Sequence, residues 1–250
     1  MSSHFLFLLT AVSVGSLSPE VARPSYSDVL IDGVPHVRQK PDFCGEACAE
    51  MYLRKLGRPF AQDDVFGASG LDPLLGRGCH TRELERALRR IGFKVGRVWE
   101  RIDARRASHG LEKLWRDLHA DLVRGIPSIV CTRYDGKPKT TEHFRLVLGY
   151  DSEKDEVIYH EPAEPRGSYR RMTRSLFLGL WPLKYDPARW TVVRLRLEPD
   201  GLLERLPREW TSFPGAKYAR HLMELRRKLS KLPTGRNFTV VMEPPFVVVG

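Results

Sequence analysis

The twenty residues from His143 to Pro162 leave the backbone little choice. His143-Phe144-Arg145-Leu146-Val147-Leu148-Gly149-Tyr150-Asp151 has the alternation and β-branched content of a strand that opens at His143. Ser152 to Asp155 reads as a turn, and Glu156-Val157-Ile158-Tyr159-His160 returns the chain, with Glu161-Pro162 at the strand's end. An antiparallel hairpin of this register sets the start of one strand beside the end of the next. His143 and Glu161 are therefore expected to be neighbours although 18 positions apart. A chain built around such a hairpin needs further strands. Ile126 to Cys131, entered from Gly125, and Trp190 to Leu197 supply them.

The other informative stretch is Val34 to Gly57, VPHVRQKPDFCGEACAEMYLRKLG. An extended segment ends in Gln39, Lys40-Pro41-Asp42 makes a polar turn, and Phe43-Cys44-Gly45 opens an amphipathic helix that stops at Gly57. Cys44 thus falls in the first turn. There the unpaired N–H groups and the positive end of the helix dipole favour thiolate, the nucleophilic form, over thiol. Gln39, five positions upstream, is a side-chain amide donor suited to a substrate carbonyl oxygen attacked by that sulfur. A cysteine beside apolar residues is more often a small buried hydrophobe, so the thiol alone settles nothing.

Helices fill the space between these stretches. Thr81 is expected to cap a helix ending at Gly92, with Leu84, Leu88 and Ile91 on one face. Phe93 to Trp99 reads as a strand. Leu111 to Val123 is a second helix, whose stripe of Leu111, Leu114, Trp115, Leu118 and Leu122 is core. Residues 173–181 form a short helix. Beyond Pro199 come a basic amphipathic helix, Lys217 to Leu232, and two apolar strands around Pro244-Pro245.

The ends of the chain set the domain limits. Phe5 to Val14 has the length of a signal-peptide apolar core, followed by small residues at Gly15, Ser16 and Ser18. Residues 1–25 are therefore read as an export signal and linker, residues 28–199 as one domain, and residues 200–250 as a C-terminal extension or the start of a further domain. This places the protein outside the cytoplasm, secreted or periplasmic. The alternative is a cytoplasmic protein whose first residues pack on the domain. No apolar run approaches the roughly 20 residues that span a bilayer.

The net charge is +10, with basic and acidic residues interleaved as on solvated helix faces. No nucleic-acid motif accompanies that charge, and no specific nucleic-acid partner is expected. Four cysteines, at 44, 48, 79 and 131, are too few and too uneven for a disulfide framework or a zinc ribbon. In an exported protein, Cys48 could pair with Cys79 or Cys131. His80 beside Cys79, and His160 beside Glu161, lack metal-site spacing. Neither a metal nor a cofactor is expected. His36 is placed at the surface or on the cleft rim, and Glu142 on the strand face away from His143.

A thiol at a helix start, an imidazole at a strand start and a carboxylate to orient it are the parts of nucleophilic catalysis through sulfur. The residues V-P-x-x-x-Q…C-G-x-A at Val34 to Ala47, G-x-P-x-I-V at Gly125 to Val130 and H-F-x-x-V-x-G-Y-D at His143 to Asp151 resemble the papain-like cysteine peptidases. Among these they are most similar to the bacteriocin leader-processing peptidases and their free-standing bacterial relatives. The resemblance covers roughly residues 30–198. It implies an α+β, two-lobed fold, with the cysteine helix in a helical lobe packed on a twisted antiparallel sheet and the active site between them.

The resemblance also implies Cys44 as nucleophile, His143 as base and Gln39 as oxyanion donor, acting on a peptide or protein substrate. At the third member the pattern departs: His160-Glu161-Pro162 stands where the family usually shows an N-D-P-like motif, so Glu161 takes the orienting role. Glu46 follows Gly45 where a proline is common. Hydrolysis of peptide bonds through a thioester is the expected activity. Acyl or peptidyl transfer on the same residues and a catalytically weak peptide-binding module are the alternatives.

Overall fold

The computed structural model of the chain describes residues 26–211, 214–229, 240–243 and 246–249. The stretch read as an export signal and linker lies outside the described residues. From the short strand β1 (Val29–Leu30) the backbone runs extended to a turn in which the Phe43 N–H donates to the Lys40 carbonyl at 3.0 Å. Helix α1 (Cys44–Lys55) starts there, and α2 (Gln62–Ser69) and α3 (Thr81–Ile91) pack on it.

Every residue of α1 from Gly45 to Leu53 is buried. The small side chains at Gly45, Ala47, Cys48 and Ala49 make this possible. A Cβ on Gly45 would lie 2.6 Å from Leu84 Cδ2 and 3.1 Å from Phe144 Cδ2. The glycine therefore lets α1 approach α3 on one side and the sheet on the other. On α3, Leu84, Leu88 and Ile91 are fully buried, each stabilising the fold by roughly 1.5–3 kcal/mol relative to exposure.

The sheet is built from β3 (Trp99–Asp103), β4 (Ser128–Arg133), β5 (Glu142–Asp151), β6 (Glu156–His160), β7 (Arg170–Thr173) and β8 (Arg189–Arg196), with β2 (Phe93–Lys94) lying outside it. Its order is β3-β8-β4-β5-β6-β7, all antiparallel, and β1 pairs with the far end of β5. Helix α4 (Ala107–Val123) contributes Trp115, which meets Tyr26, Tyr150 and Phe177 of α5 (Arg174–Leu180) edge-on. The expected α+β architecture, with the Cys44 helix packed on an antiparallel sheet, is the one observed.

Three local expectations are corrected. Thr81 is the first helical residue, and His80 occupies the cap, its N–H donating to the Glu83 carboxylate at 3.1 Å. The strand expected over Phe93 to Trp99 is two strands, because Gly96 turns the chain with φ of 70°. Helix α4 begins at Ala107 rather than Leu111, continuing a short 3₁₀ turn at Ala104–Arg106.

All four cysteines are free thiols. Cys48, Cys79 and Cys131 are buried on α1, in the loop before α3 and on β4, so the conditional pairing is not formed.

After β8 the chain adds β9 (Glu198–Pro199), which pairs with β2, then α6 (Arg208–Thr211) and α7 (Gly215–Leu229). Both helices pack on α2. Arg220 of α7 ion-pairs with Asp63 and lies 5.0 Å over the Phe43 ring. Strands β10 (Val240–Glu243) and β11 (Phe246–Val249) form an antiparallel pair.

Candidate active site

Cys44 stands at the first position of α1 with its sulfur against the backbone of Phe144, the residue that follows His143 on β5. Cys44 and His143 line one cavity of about 420 Å³, together with Trp99, Cys131, Glu142 and Tyr185. The turn before the helix is tightly made. Asp42 takes a left-handed φ of 60°, and its carboxylate accepts the Gly78 N–H at 2.8 Å. A Cβ on Gly78 would fall 1.9 Å from the Asp42 carbonyl oxygen, so only glycine lets the loop before α3 close over this turn.

The hairpin register pairs Leu146 with His160. Glu161, just past the strand, therefore reaches the inward side chains at the start of β5. His143 Nε2 bonds Glu161 Oε1 at 2.5 Å. A carboxylate only accepts, so Nε2 carries the proton and Nδ1 is the nitrogen left to accept one. The Tyr134 ring meets the imidazole edge-on at 5.2 Å. Burial alone would raise the Glu161 carboxyl, but the His143 hydrogen bond and the His143 and Arg145 charges hold it below the usual carboxylate range.

Arg145 is the functional neighbour that the sequence reading passed over. Its Nε donates to Glu161 Oε2 at 2.8 Å, and its guanidinium also bonds Thr132 Oγ1 and the carbonyls of Arg133 and Tyr134. The signal was present in the sequence. Arg145 shares its strand face with Val147, inside the apolar run Leu146-Val147-Leu148, and a charge drawn into such a face demands a partner.

Gln39 is placed by its backbone. Its N–H donates to the Pro162 carbonyl at 2.8 Å, next to Glu161. Its side-chain Oε1 is buried without a hydrogen-bond partner, and the residue is not among those lining the Cys44–His143 cavity. His36, expected at the surface or on the cleft rim, is half-buried, and its Nε2 donates to the Glu161 carbonyl at 2.9 Å. His160 accepts the Tyr169 N–H at Nδ1 and donates from Nε2 to the Val34 carbonyl, each at 2.9 Å. It is a neutral structural residue whose burial pushes its pKa down. Glu142 lies on the strand face opposite His143, as expected from the alternation of β5, yet it lines the shared cavity and accepts the Tyr185 hydroxyl.

The thiolate expected at the helix start is also corrected. Burial pushes the Cys44 thiol up to about 12, the charges of Glu46 and Asp42 add to that, and backbone hydrogen bonds from Phe144 and Gly45 only partly oppose it. Desolvation of a sulfur anion outweighs one helix turn of dipole. At rest the arrangement holds a neutral thiol beside an imidazole whose free nitrogen can take a proton. Among the described residues no group of His, Cys, Asp and Glu is arranged to hold a metal ion, and no helix is long and apolar enough to cross a membrane.

The sequence profile of the Peptidase_C39 like family matches residues 31–186, from just after β1 to beyond α5. Among solved structures, the chain is similar to the peptidase domain of Streptococcus ComA, a bifunctional ABC transporter involved in a quorum-sensing pathway. The identity is 16% over 65% of this chain and 96% of that one, with a TM-score of 0.38. No curated protein matches the chain.

Proposed function

The chain belongs to the Peptidase_C39 like family, and from that premise we propose that it hydrolyses peptide bonds through a thioester on Cys44. The observation that carries this reading is the 2.5 Å bond joining His143 Nε2 to Glu161 Oε1, on a histidine that shares its cavity with Cys44. With Nε2 committed, Nδ1 takes the thiol proton as the sulfur attacks the substrate carbonyl. The resulting imidazolium is stabilised by Glu161. The oxyanion is bound by the Cys44 backbone N–H; Gln39, the second donor expected from the sequence, does not line the shared cavity and must turn its side-chain amide inward to take part. Nδ1 then protonates the leaving amine, and water, deprotonated by the same nitrogen, releases the new carboxylate and restores the thiol.

Because the thiol is neutral at rest, proton transfer and attack are coupled, in contrast to a pair that waits as thiolate and imidazolium. Export from the cytoplasm, read from residues 1–25, belongs to this proposal, and peptides or proteins met there are the substrates.

The test is digestion of a mixed peptide library in water enriched in oxygen-18. Hydrolysis places the label on each new carboxyl group, whereas transfer to an amine gives ligated products without it. Cys44→Ala and His143→Ala should each abolish the signal. Cleavage that survives Cys44→Ala would sink the proposal, and unlabelled ligation products would make the protein a transferase.

A further inference from the structure

Two glutamates lie buried on α1, and only one is compensated. Glu50 pairs with Arg54 at 2.5 Å and accepts the Gln62 N–H at 3.1 Å. Glu46 is completely buried. Its Oε1 accepts the Cys79 N–H at 2.7 Å, while its Oε2 is buried with no hydrogen-bond partner. The charge that bears on it most is that of Asp42, which has the same sign. The hydrogen bonds from Cys79 return less than the solvation an ion gives up in such a place, so the carboxyl favours its neutral form. Burial accordingly pushes Glu46 up to about 7.

This acid sits in the same helical turn as the nucleophile, two residues on, where its charge adds to the cost of a Cys44 thiolate. The other groups facing the pair are already committed or remain neutral. Asp42, in the preceding turn, is exposed and bonded to Gly78. From the α3 side come Cys79 and the Arg77–Glu83 ion pair. Cys48 lies one turn along α1, and Cys131 on β4; burial raises both thiols. On β5, His143 and Arg145 are both bonded to Glu161.

We propose that Glu46 is a proton-controlled positioning residue for the nucleophile. With its proton on, it leaves Cys44 free to pass its own proton to His143; with its proton off, its charge holds the sulfur as thiol. The inference rests on reading Cys44 as the nucleophile. It makes the site most active on the acid side of neutrality. The same carboxyl ties Cys79, in the cavity wall, to the Cys44 helix through the 2.7 Å bond.

The experiment measures iodoacetamide alkylation of Cys44, resolved by peptide mass spectrometry, between pH 5.5 and 8.5 on the full chain. Glu46→Gln keeps an acceptor for Cys79 and removes only the charge. The Cys44 rate in this variant, divided by that of the wild type, should be near one at pH 5.5. It should climb to about tenfold at pH 8.5 with a midpoint near neutrality. A ratio flat across the range overturns the role of Glu46.

His143→Ala is run in parallel and scored separately. If it leaves Cys44 labelling unchanged, the peptidase reading fails rather than the Glu46 assignment. A measurement free of any variant is carbon-13 carboxyl NMR of glutamate-labelled wild type. One glutamate titrating near pH 7 supports the inference, and a set that all titrate below pH 5.5 overturns it.

Discussion

Arg145 Nε donates to Oε2 of Glu161 at 2.8 Å, the oxygen that His143 leaves unused. One carboxylate thus serves two side chains that stand two residues apart on the same strand. The guanidinium lies 5.5 Å from the Tyr134 ring centre and 5.7 Å from that of Tyr159, and bonds two backbone carbonyls. The Glu161 carboxyl thus bridges both partners, one through each oxygen.

Arg145→Met should therefore be costly. Removing one member of a buried ion pair leaves the other uncompensated, and such changes cost about 3–5 kcal/mol. The urea midpoint at pH 7 should fall accordingly. A midpoint within experimental error of wild type would mean that Glu161 is held by His143 alone.

Glu161→Gln keeps the shape of the site and removes the charge that stabilises the imidazolium. Peptide cleavage should drop on the order of a hundredfold or more, in kcat rather than KM. Glu161→Asp, one methylene shorter, should fall between Gln and wild type. Steady-state kinetics on one labelled peptide, chosen from the library digest, would check both.

Acid should unfold the protein through Asp121 as well as Glu161. Burial raises the Asp121 carboxyl, but the Arg196 hydrogen bond and the Arg194 and Arg196 charges hold it lower than usual. A depressed folded pKa contributes stability that is present above the ordinary carboxyl value and lost as pH falls through the folded one. Wild type should lose stability steeply below about pH 4, and Asp121→Asn, already weaker at pH 7, should lose less. Urea titrations at pH 7 and pH 3.5 give the comparison.

Glu46 predicts the opposite sign. Its folded pKa lies above the usual 4.5, at about 7, so its contribution is intact below the lower value and lost as pH rises through the higher. Glu46→Gln should be more stable than wild type at pH 8, by up to about 3 kcal/mol, and should not be at pH 4.5. Thermal melts at the two pH values would show it.

Gly45→Ala tests the close approach of α1. With Leu84 Cδ2 at 2.6 Å from the added carbon, overpacking should cost about 1–3 kcal/mol. Because Phe144 is the second neighbour, reactivity of Cys44 should fall with it. Unchanged stability would mean that α3 shifts freely.

Much of this was legible in the residues. The hairpin from His143 to His160 carries strand periodicity in both arms and a polar turn between them, so its pairing, and with it the approach of Glu161 to His143, follows from a period of two. The start of α1 at Cys44 was equally plain, set by the turn before it. What was not legible depends on contacts between distant elements. The neutral Cys44 thiol arises from burial by elements distant in the chain, which no local pattern encodes. Arg145 was visible as a charge in an apolar strand, but its partner was hidden until the register fixed which residues faced it. Glu46 shows in the sequence only as an acid in the first turn of a helix, because its burial is imposed by the loop at Gly78 and Cys79.

Three bonds described above join the segment that leads into the Cys44 helix to the one that carries Glu161: Val34 with His160, His36 with Glu161, and Gln39 with Pro162. A Cβ on Gly167 would strike both the Glu161 carbonyl and His36, so the loop after Glu161 belongs to the same seam. Residues 34–39 and 160–167 are in effect one part made from two distant pieces of gene. Anyone grafting either piece into a related scaffold, or shuffling this protein with a relative at a crossover between them, will have to move both together.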